Sequence, residues 1–389
     1  MSDSESRLNP TRTTETAVWA AAAGRCTFCN RLVIENEDLG VAVSIGELAH
    51  NVGWSEKSPR GQSDLTAEER READNLLLLC RTCHKPIDQG GMTKRYSVER
   101  LAEFKRLHEQ RIRALTEIGG DRKATILRLV GPIRGVNPEL TYDTVLEATT
   151  AAKLFPALLP GSFQAQHDLD LRQIPDLGTP AHFADSAAYI DDLIRRVDDG
   201  INRGLISRLA VFAFARIPIL IHLGARLDDK VPILIFQRQR VDDVNAWRWP
   251  ENPPEPPTFD LQRVTEGTDP EAVALIVNLS GTIQLEELPE GTIDSDTVYA
   301  LSPMAPDVPG PTLISSPAAI TNFDRAVRRF LATLEETHGK VDRVKLYAAV
   351  PVAAAITLGR VLMPHVSPAW AVYDRNAQRH FFEALEVRR

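Results

Sequence analysis

Apolar and polar positions alternate in two different textures along the chain. In the first, residues 41–45 form a β-prone run, and Leu76–Cys80 is a fully apolar run bounded by polar stretches. The latter run, with the turn after it, predicts a short helix that presents His84. Residues 96–115 then carry Leu101, Phe104, Leu107, His108, Ile112 and Leu115 at the spacing of one helical stripe, with Ser97 as N-cap. Arg100 stands where a capping box would need Glu or Gln, so the box is absent. Gly119-Gly120-Asp121 ends this helix, and a β-prone segment, 124–130, follows before Gly131-Pro132.

From about residue 140 strands alternate with helices, the pattern of α/β layering. Self-comparison adds an internal repeat. A strand at 209–214, Pro218, a helix containing Leu223-Gly224 and a strand at 231–236 are matched by a strand at 344–349, Pro351, a helix containing Leu358-Gly359 and a strand at 369–373. An amphipathic helix precedes each unit, at 185–199 and 323–338. The units read as duplicated Rossmann-like halves. Residues 250–257, rich in proline, read as a stiff spacer between the halves. The expected organisation is an α+β domain over 1–120, a linker over 121–139, and an α/β domain over 140–389 with halves of about 140–257 and 258–389.

The chain's 389 residues accord with two domains, and its 43% hydrophobic and 25% charged residues are ordinary globular values. Its first residues are polar and no apolar run has the length of a membrane span, so a cytoplasmic protein without membrane contact is expected. The net charge of −8 argues against wholesale coating of nucleic acid. That charge is unevenly spread: residues 1–120 carry 17 basic and 18 acidic side chains, whereas residues 81–113 carry nine basic and four acidic. A local excess of +5 suits phosphate neutralisation, with Arg81, Lys85, Lys94 and Arg95 as DNA-contact candidates.

All four cysteines fall in two pairs, Cys26-Thr-Phe-Cys29 and Cys80-Arg-Thr-Cys83. In a cytoplasmic chain paired C-x2-C elements read as thiolate ligands, and four sulfurs close a tetrahedral structural zinc site. His50, Asn75 and His84 stand in order between and just beyond these pairs. The order, with N-L-x3-C-x2-C-H and the preceding A-H element, resembles the HNH endonucleases of the ββα-metal class over roughly residues 20–90. That resemblance implies that His50 is the general base, that Asn75 holds the loop bearing it, and that His84 binds a catalytic divalent ion such as Mg²⁺. A neutral imidazole is suited to take a proton from water near neutral pH. Many family members carry a second metal ligand just before the base; here that residue is Ala49, which leaves Asp74 as a weak helper.

The two α/β halves after such a nuclease resemble the SAVED domain, the cyclic-oligonucleotide sensor of bacterial CBASS antiphage defence. The match rests on Val350-Pro351-Val352, Leu358-Gly359-Arg360, Tyr373-Asp374-Arg375 and Val277-Asn278-Leu279-Ser280-Gly281. It implies two fused CARF-like halves with a cleft for a cyclic di- or trinucleotide. Helix N-termini at Pro218 and Pro351 are expected to face its phosphates. Ser280 and Gly281 would permit close backbone approach, and Trp247 or Trp249 would stack on a base. Arg216, Arg238, Arg240, Arg248 and Tyr373 complete the ligand candidates. The expectation is a homodimer that assembles further when activated and then cuts double-stranded DNA. Two rivals are a restriction-type HNH nuclease whose second domain reads DNA, and a non-catalytic zinc DNA-binding protein.

Overall fold

A computed structural model describes residues 8–36, 41–157, 167–239 and 247–389. The chain divides into two compact units, Met1–Gly119 and Gly120–Arg389.

The first unit opens with helix α1 (Arg12–Ala21), whose N-cap Thr11 accepts from the Thr14 amide. A two-stranded ladder joins β1 (Glu35–Asn36) and β2 (Val41–Ala42). Strand β3 (Gly46–His50) pairs antiparallel with β4 (Leu76–Cys80), in the register Glu47↔Leu79 and His50↔Leu76. The run at 76–80 is therefore a strand, not the expected helix. Its residues Leu76 to Leu79 are at most 1% exposed, so both faces of this small sheet are covered and the strand shows no alternation. The short helix α2 (Ala67–Arg70) lies in the connection and is closed by a Thr66–Glu69 capping box. Helix α3 (Arg81–Ile87) begins where β4 ends, and α4 (Val98–Thr116) follows with Ser97 accepting from the Arg100 amide. Along α4, Leu101 and His108 are buried, but Leu107 and Leu115 are exposed, so the apolar stripe is covered only in part. The core gathers Val18, Ala22, Val33, Ala49, the β4 leucines, Ile87 and Leu101.

The second unit holds two sheets. Strand β5 (Lys123–Val130) lies in the interior of the first, where it pairs in parallel with β6 (Phe155–Pro156), β7 (Asp168–Asp170) and β8 (Leu209–Phe214). Residues 123–130 thus belong to the sheet and not to a linker, because seven of the eight are buried. Helix α5 (Tyr142–Ala151), helix α6 (Pro180–Asn202) and helix α7 (Ile217–Arg226) intervene, and β9 (Ile233–Ile235) pairs in parallel with β8. The second sheet contains β10 (Phe259–Thr265), β11 (Val273–Asn278), β12 (Thr297–Pro303), β13 (Arg343–Ala349), β14 (Ala369–Arg375) and β15 (Phe381–Val387), in the order β10-β12-β11-β13-β14-β15. Its helices are the one-turn α8 (Thr292–Ser295), α9 (Pro317–His338) and α10 (Val352–Arg360).

The inner order β12-β11-β13-β14 matches β6-β5-β8-β9 strand for strand, all parallel. The repeat seen in sequence is a structural repeat. Its Leu-Gly pairs have a packing cause, because α7 and α10 cross with backbones in contact. A Cβ on Gly224 would lie 1.9 Å from the Ile356 carbonyl oxygen, and one on Gly359 would lie 2.0 Å from that of Ile221. Glycine is thus the one residue that each position at the crossing admits. No helix among the described residues is long and apolar enough to cross a membrane.

Candidate functional sites

The first unit brings its four cysteines together. Their sulfurs all lie within 4.8 Å of one another, and Cys29 Sγ is 3.8 Å from Cys80 Sγ. Tetrahedral Zn–S bonds of about 2.3 Å require sulfurs about 3.8 Å apart, so the set is spaced for such an ion. The first pair is built by a tight turn in which the Asn30 amide donates to Cys26 O and the Thr27 amide donates to Leu78 O of β4. Burial acts to raise the Cys26 thiol, but amide donors from Cys29, Cys80 and Phe28 outweigh it and leave the sulfur more acidic than usual. Burial among neighbouring thiols pushes Cys83 far up. Closing β4 with Cys80 and opening α3 with the second pair places the cluster directly beside His84.

His50 ends β3, and Asn75 stands just ahead of β4. The Asn75 side chain is 7% exposed and holds the chain after His50 at three points. Its Oδ1 accepts from the Val52 amide at 2.8 Å, while Nδ2 donates to Val52 O at 2.9 Å and Arg70 O at 2.8 Å. His50 lines a cleft of about 320 Å³ together with Trp54, Asp64, Arg70 and Arg71. Arg70 stabilises the cleft's wall by donating to the carbonyls of Gly53, Gly61, Ser63 and Leu65.

His84 lies on α3 between two carboxylates. Its Nδ1 is 2.7 Å from Glu47 Oε2, and its Nε2 is 3.5 Å from Asp88 Oδ2. The Asp88 hydrogen bond, with that of Glu47 and against the effect of burial, raises the imidazole's proton affinity. His84 in turn lowers the Glu47 carboxyl, as does Arg81. Burial acts to raise Asp88, but His84 and Arg60 overcome it and hold it low. Arg60 is a buried tie, donating to Asn51 O (2.8 Å), Ile87 O (2.7 Å), Asp88 Oδ1 (2.6 Å) and His50 O (3.2 Å). The expected helper Asp74 sits exposed in a 3-10 turn; the carboxylates facing His84 are Glu47 and Asp88. Sequence reasoning named none of Glu47, Asp88 and Arg60. Arg81, Lys85, Lys94 and Arg95 are all exposed, the first two on α3 itself.

In the second unit a cavity of about 390 Å³ opens at the carboxyl ends of the inner strands of both halves. Among the predicted ligand residues it is lined by Arg216, Arg238, Ser280 and Pro351, and also by Arg134, Gln237 and Asp374, none of which was expected to bind ligand. The first turns of α7 and α10 face it, capped by no side chain of their own N-cap residues. Gln237 reaches across from the other half to accept from the Ala353 amide at 2.9 Å. Arg238 lies 5.1 Å from the Phe214 ring centroid.

Several expected roles change here. Arg216 is not an open phosphate clamp: its guanidinium binds Asp176 (2.7 Å), Asp374 (2.9 Å) and the Arg375 carbonyl (2.8 Å), with its side chain 4% exposed. It joins the halves beneath the cavity. Arg134 sits above this network, its amide bonded to Asp176 at 2.8 Å and its half-exposed guanidinium 4.0 Å from Asp374. Pro218 is buried and, as proline, offers no amide donor. Trp247 is 2% exposed and packs on Phe212, so it is a core residue and not a stacking platform. Arg248 pairs with Glu147 at 3.6 Å. A Cβ on Gly281 would meet nothing within 4 Å, so no close approach requires glycine there. Tyr373 packs against Tyr347 in a tilted arrangement, with ring centroids 4.6 Å apart. Arg240 lies outside the described residues.

Comparison with known proteins bears on this second unit. The family model described as SMODS-associated and fused to various effectors sensor domain, SAVED, matches residues 189–387. Among solved structures, the chain is similar to the Acinetobacter baumannii Cap4 SAVED/CARF-domain containing receptor with the cyclic trinucleotide 3'3'3'-cAAA. The identity is 17% and the TM-score 0.43, over 63% of this chain and 54% of that one. The Moraxella osloensis Cap4 SAVED/CARF-domain containing receptor is similar at 12% identity and TM-score 0.37, over 84% of this chain and 62% of that one. The chain therefore spans less than two thirds of the length of these receptors. No curated protein matches it. With its family model covering just over half of the residues, this chain belongs to the SAVED sensor-domain family.

Proposed function

We propose that this chain is a cyclic-oligonucleotide-activated, metal-dependent endonuclease that degrades double-stranded DNA in antiphage defence. The observation that carries the nuclease half is the placement of His50, Asn75 and His84 around one β3–β4–α3 unit beside the cysteine cluster. The four cysteines hold a structural zinc ion, for which their spacing and donor type are suited.

His84 is the imidazole ligand of a catalytic divalent ion, Mg²⁺ in the first instance; Glu47 and Asp88 face its two different ring nitrogens, so one shares the ion with it and the other orients the ring. One hard carboxylate thus replaces the ligand that Ala49 does not supply. Such an ion, when bound, stabilises the charge that develops on phosphate and leaving oxygen. His50 takes the proton of the attacking water, and Asn75 fixes the loop that aims it. Arg60 orients Asp88 and ties the same loop to the end of α3. Arg81, Lys85, Lys94 and Arg95 neutralise DNA phosphates without reading bases.

In the sensor, the ligand's phosphates meet the first turns of α7 and α10, Arg134 and Arg238. Both halves line this cavity, so an occupant contacts both at once. The ligand must bind the active assembly more tightly than the resting one, a homodimer that assembles further. Activated protein with Mg²⁺ and plasmid tests the catalytic assignment. His50→Ala is expected to lower the cleavage rate by about 10²–10⁴-fold; an unchanged rate would overturn it.

A further inference from the structure

A second cavity, of about 670 Å³, lies in the sensor at the opposite ends of α7 and α10 from the cleft just described. It is larger than the cleft and within the range of small-ligand sites. Its wall combines the segment after α7 with the start of α9, the end of α10 and Trp249.

Three arginines line it, and their partners differ. Arg328 pairs with Asp324 at 2.8 Å, and Arg389 pairs with Asp228 at 3.5 Å. Arg360 makes no ion pair among the described residues, although its side chain is largely covered. Burial and the nearby Arg389 charge weaken its hold on its proton more than the charges of Asp324 and Asp229 strengthen it. A largely covered guanidinium that no carboxylate engages directly leaves its forked donors open to an anion. The second observation is independent. The indole Nε1 of Trp249 is buried and has no acceptor among the described residues. Asp229 also faces the cavity; its charge acts on Arg360, but it forms no ion pair among the described residues. The remaining lining includes the apolar Ile320, Leu362 and Met363.

We infer that this cavity is a binding site for a nucleoside monophosphate, distinct from the cleft at the strand ends. Arg360 receives the phosphate, Asp229 accepts from the ribose hydroxyls, the apolar wall receives the base, and the indole N–H donates to a ligand oxygen or ring nitrogen. A net-neutral ring of charged side chains, in which Arg360 and Asp229 make no direct ion pair, suits a ligand that carries both an anion and hydroxyl donors.

Titration of the full chain with adenosine 5′-monophosphate and with inorganic phosphate, followed by calorimetry, tests this. The wild-type chain is expected to bind the nucleotide saturably below about 1 mM and inorganic phosphate at least about tenfold more weakly. Arg360→Gln is expected to lose about tenfold or more in nucleotide affinity, and Trp249→Phe, which keeps an aromatic ring, about threefold or more. Because Arg360→Gln removes an unpaired charge, its thermal midpoint is expected to match or exceed that of the wild type. The inference is overturned by the absence of saturable nucleotide binding, by equal affinity in wild type and both variants, or by phosphate binding as tightly as the nucleotide.

Discussion

At the residue scale, His84 is defined by what faces it. Asp88 and then Glu47 raise its proton affinity against the effect of burial, so a proton occupies the imidazole to a higher pH than usual. A metal ion must displace that proton, and the apparent affinity therefore rises with pH until the raised His84 value is passed, then levels. Titrating Mn²⁺ from pH 6 to 8 is expected to show this rise, and Glu47→Gln is expected to weaken binding about 10-fold or more; a flat profile in the wild type would contradict the donor set. The roles of Glu47 and Asp88 were illegible in sequence for a physical reason. Glu47 meets His84 across 37 positions only because of the β3–β4 register and because α3 begins at Arg81. Arg216 misled in the same way, since a free-looking arginine is saturated by carboxylates 40 and 158 positions away. Arg134 carries the opposite lesson: nothing in its local sequence marks it, and only the fold turns it toward the cavity.

At the scale of elements, the repeat was legible because its cause is local to each helix. The Leu-Gly pairs at 223–224 and 358–359 mark the crossing of α7 and α10, where each glycine meets the other helix's backbone. Gly224→Ala is expected to destabilise the second unit by about 3 kcal/mol or more in denaturant unfolding, because the added methyl meets a carbonyl oxygen and not a yielding side-chain tip. A loss below about 0.5 kcal/mol would mean that the crossing is not held as described. The strand at 76–80 was misread because burial on both faces removes the alternation that identifies strands. The cysteine pairs were legible as one cluster, and their removal acts on the whole small core that Cys26 and Cys80 join. Cys80→Ser is expected to abolish one equivalent of bound zinc by metal analysis and to melt the first unit; retention of full zinc content and of its melting transition would contradict the tetrathiolate site.

At the scale of the whole molecule, a net charge of −8 conceals a basic segment at 81–113 within a chain whose remaining residues, 121–389, carry −7. That division accords with the proposed DNA contact by the first unit and with a cavity in the second that is lined by helix termini and a few arginines and not by an extended basic face. The SAVED family assignment concerns the second unit, and the proposal joins it to the nuclease chemistry of the first. Under that proposal an activator binds the active assembly preferentially, and cleavage depends on ligand. The most direct measurement incubates purified protein, Mg²⁺ and supercoiled plasmid with cyclic dinucleotides and cyclic trinucleotides, one at a time. At least one ligand is expected to convert an inert protein into one that degrades the plasmid, with that activity lost in His50→Ala; equal cutting with and without every ligand would contradict the account.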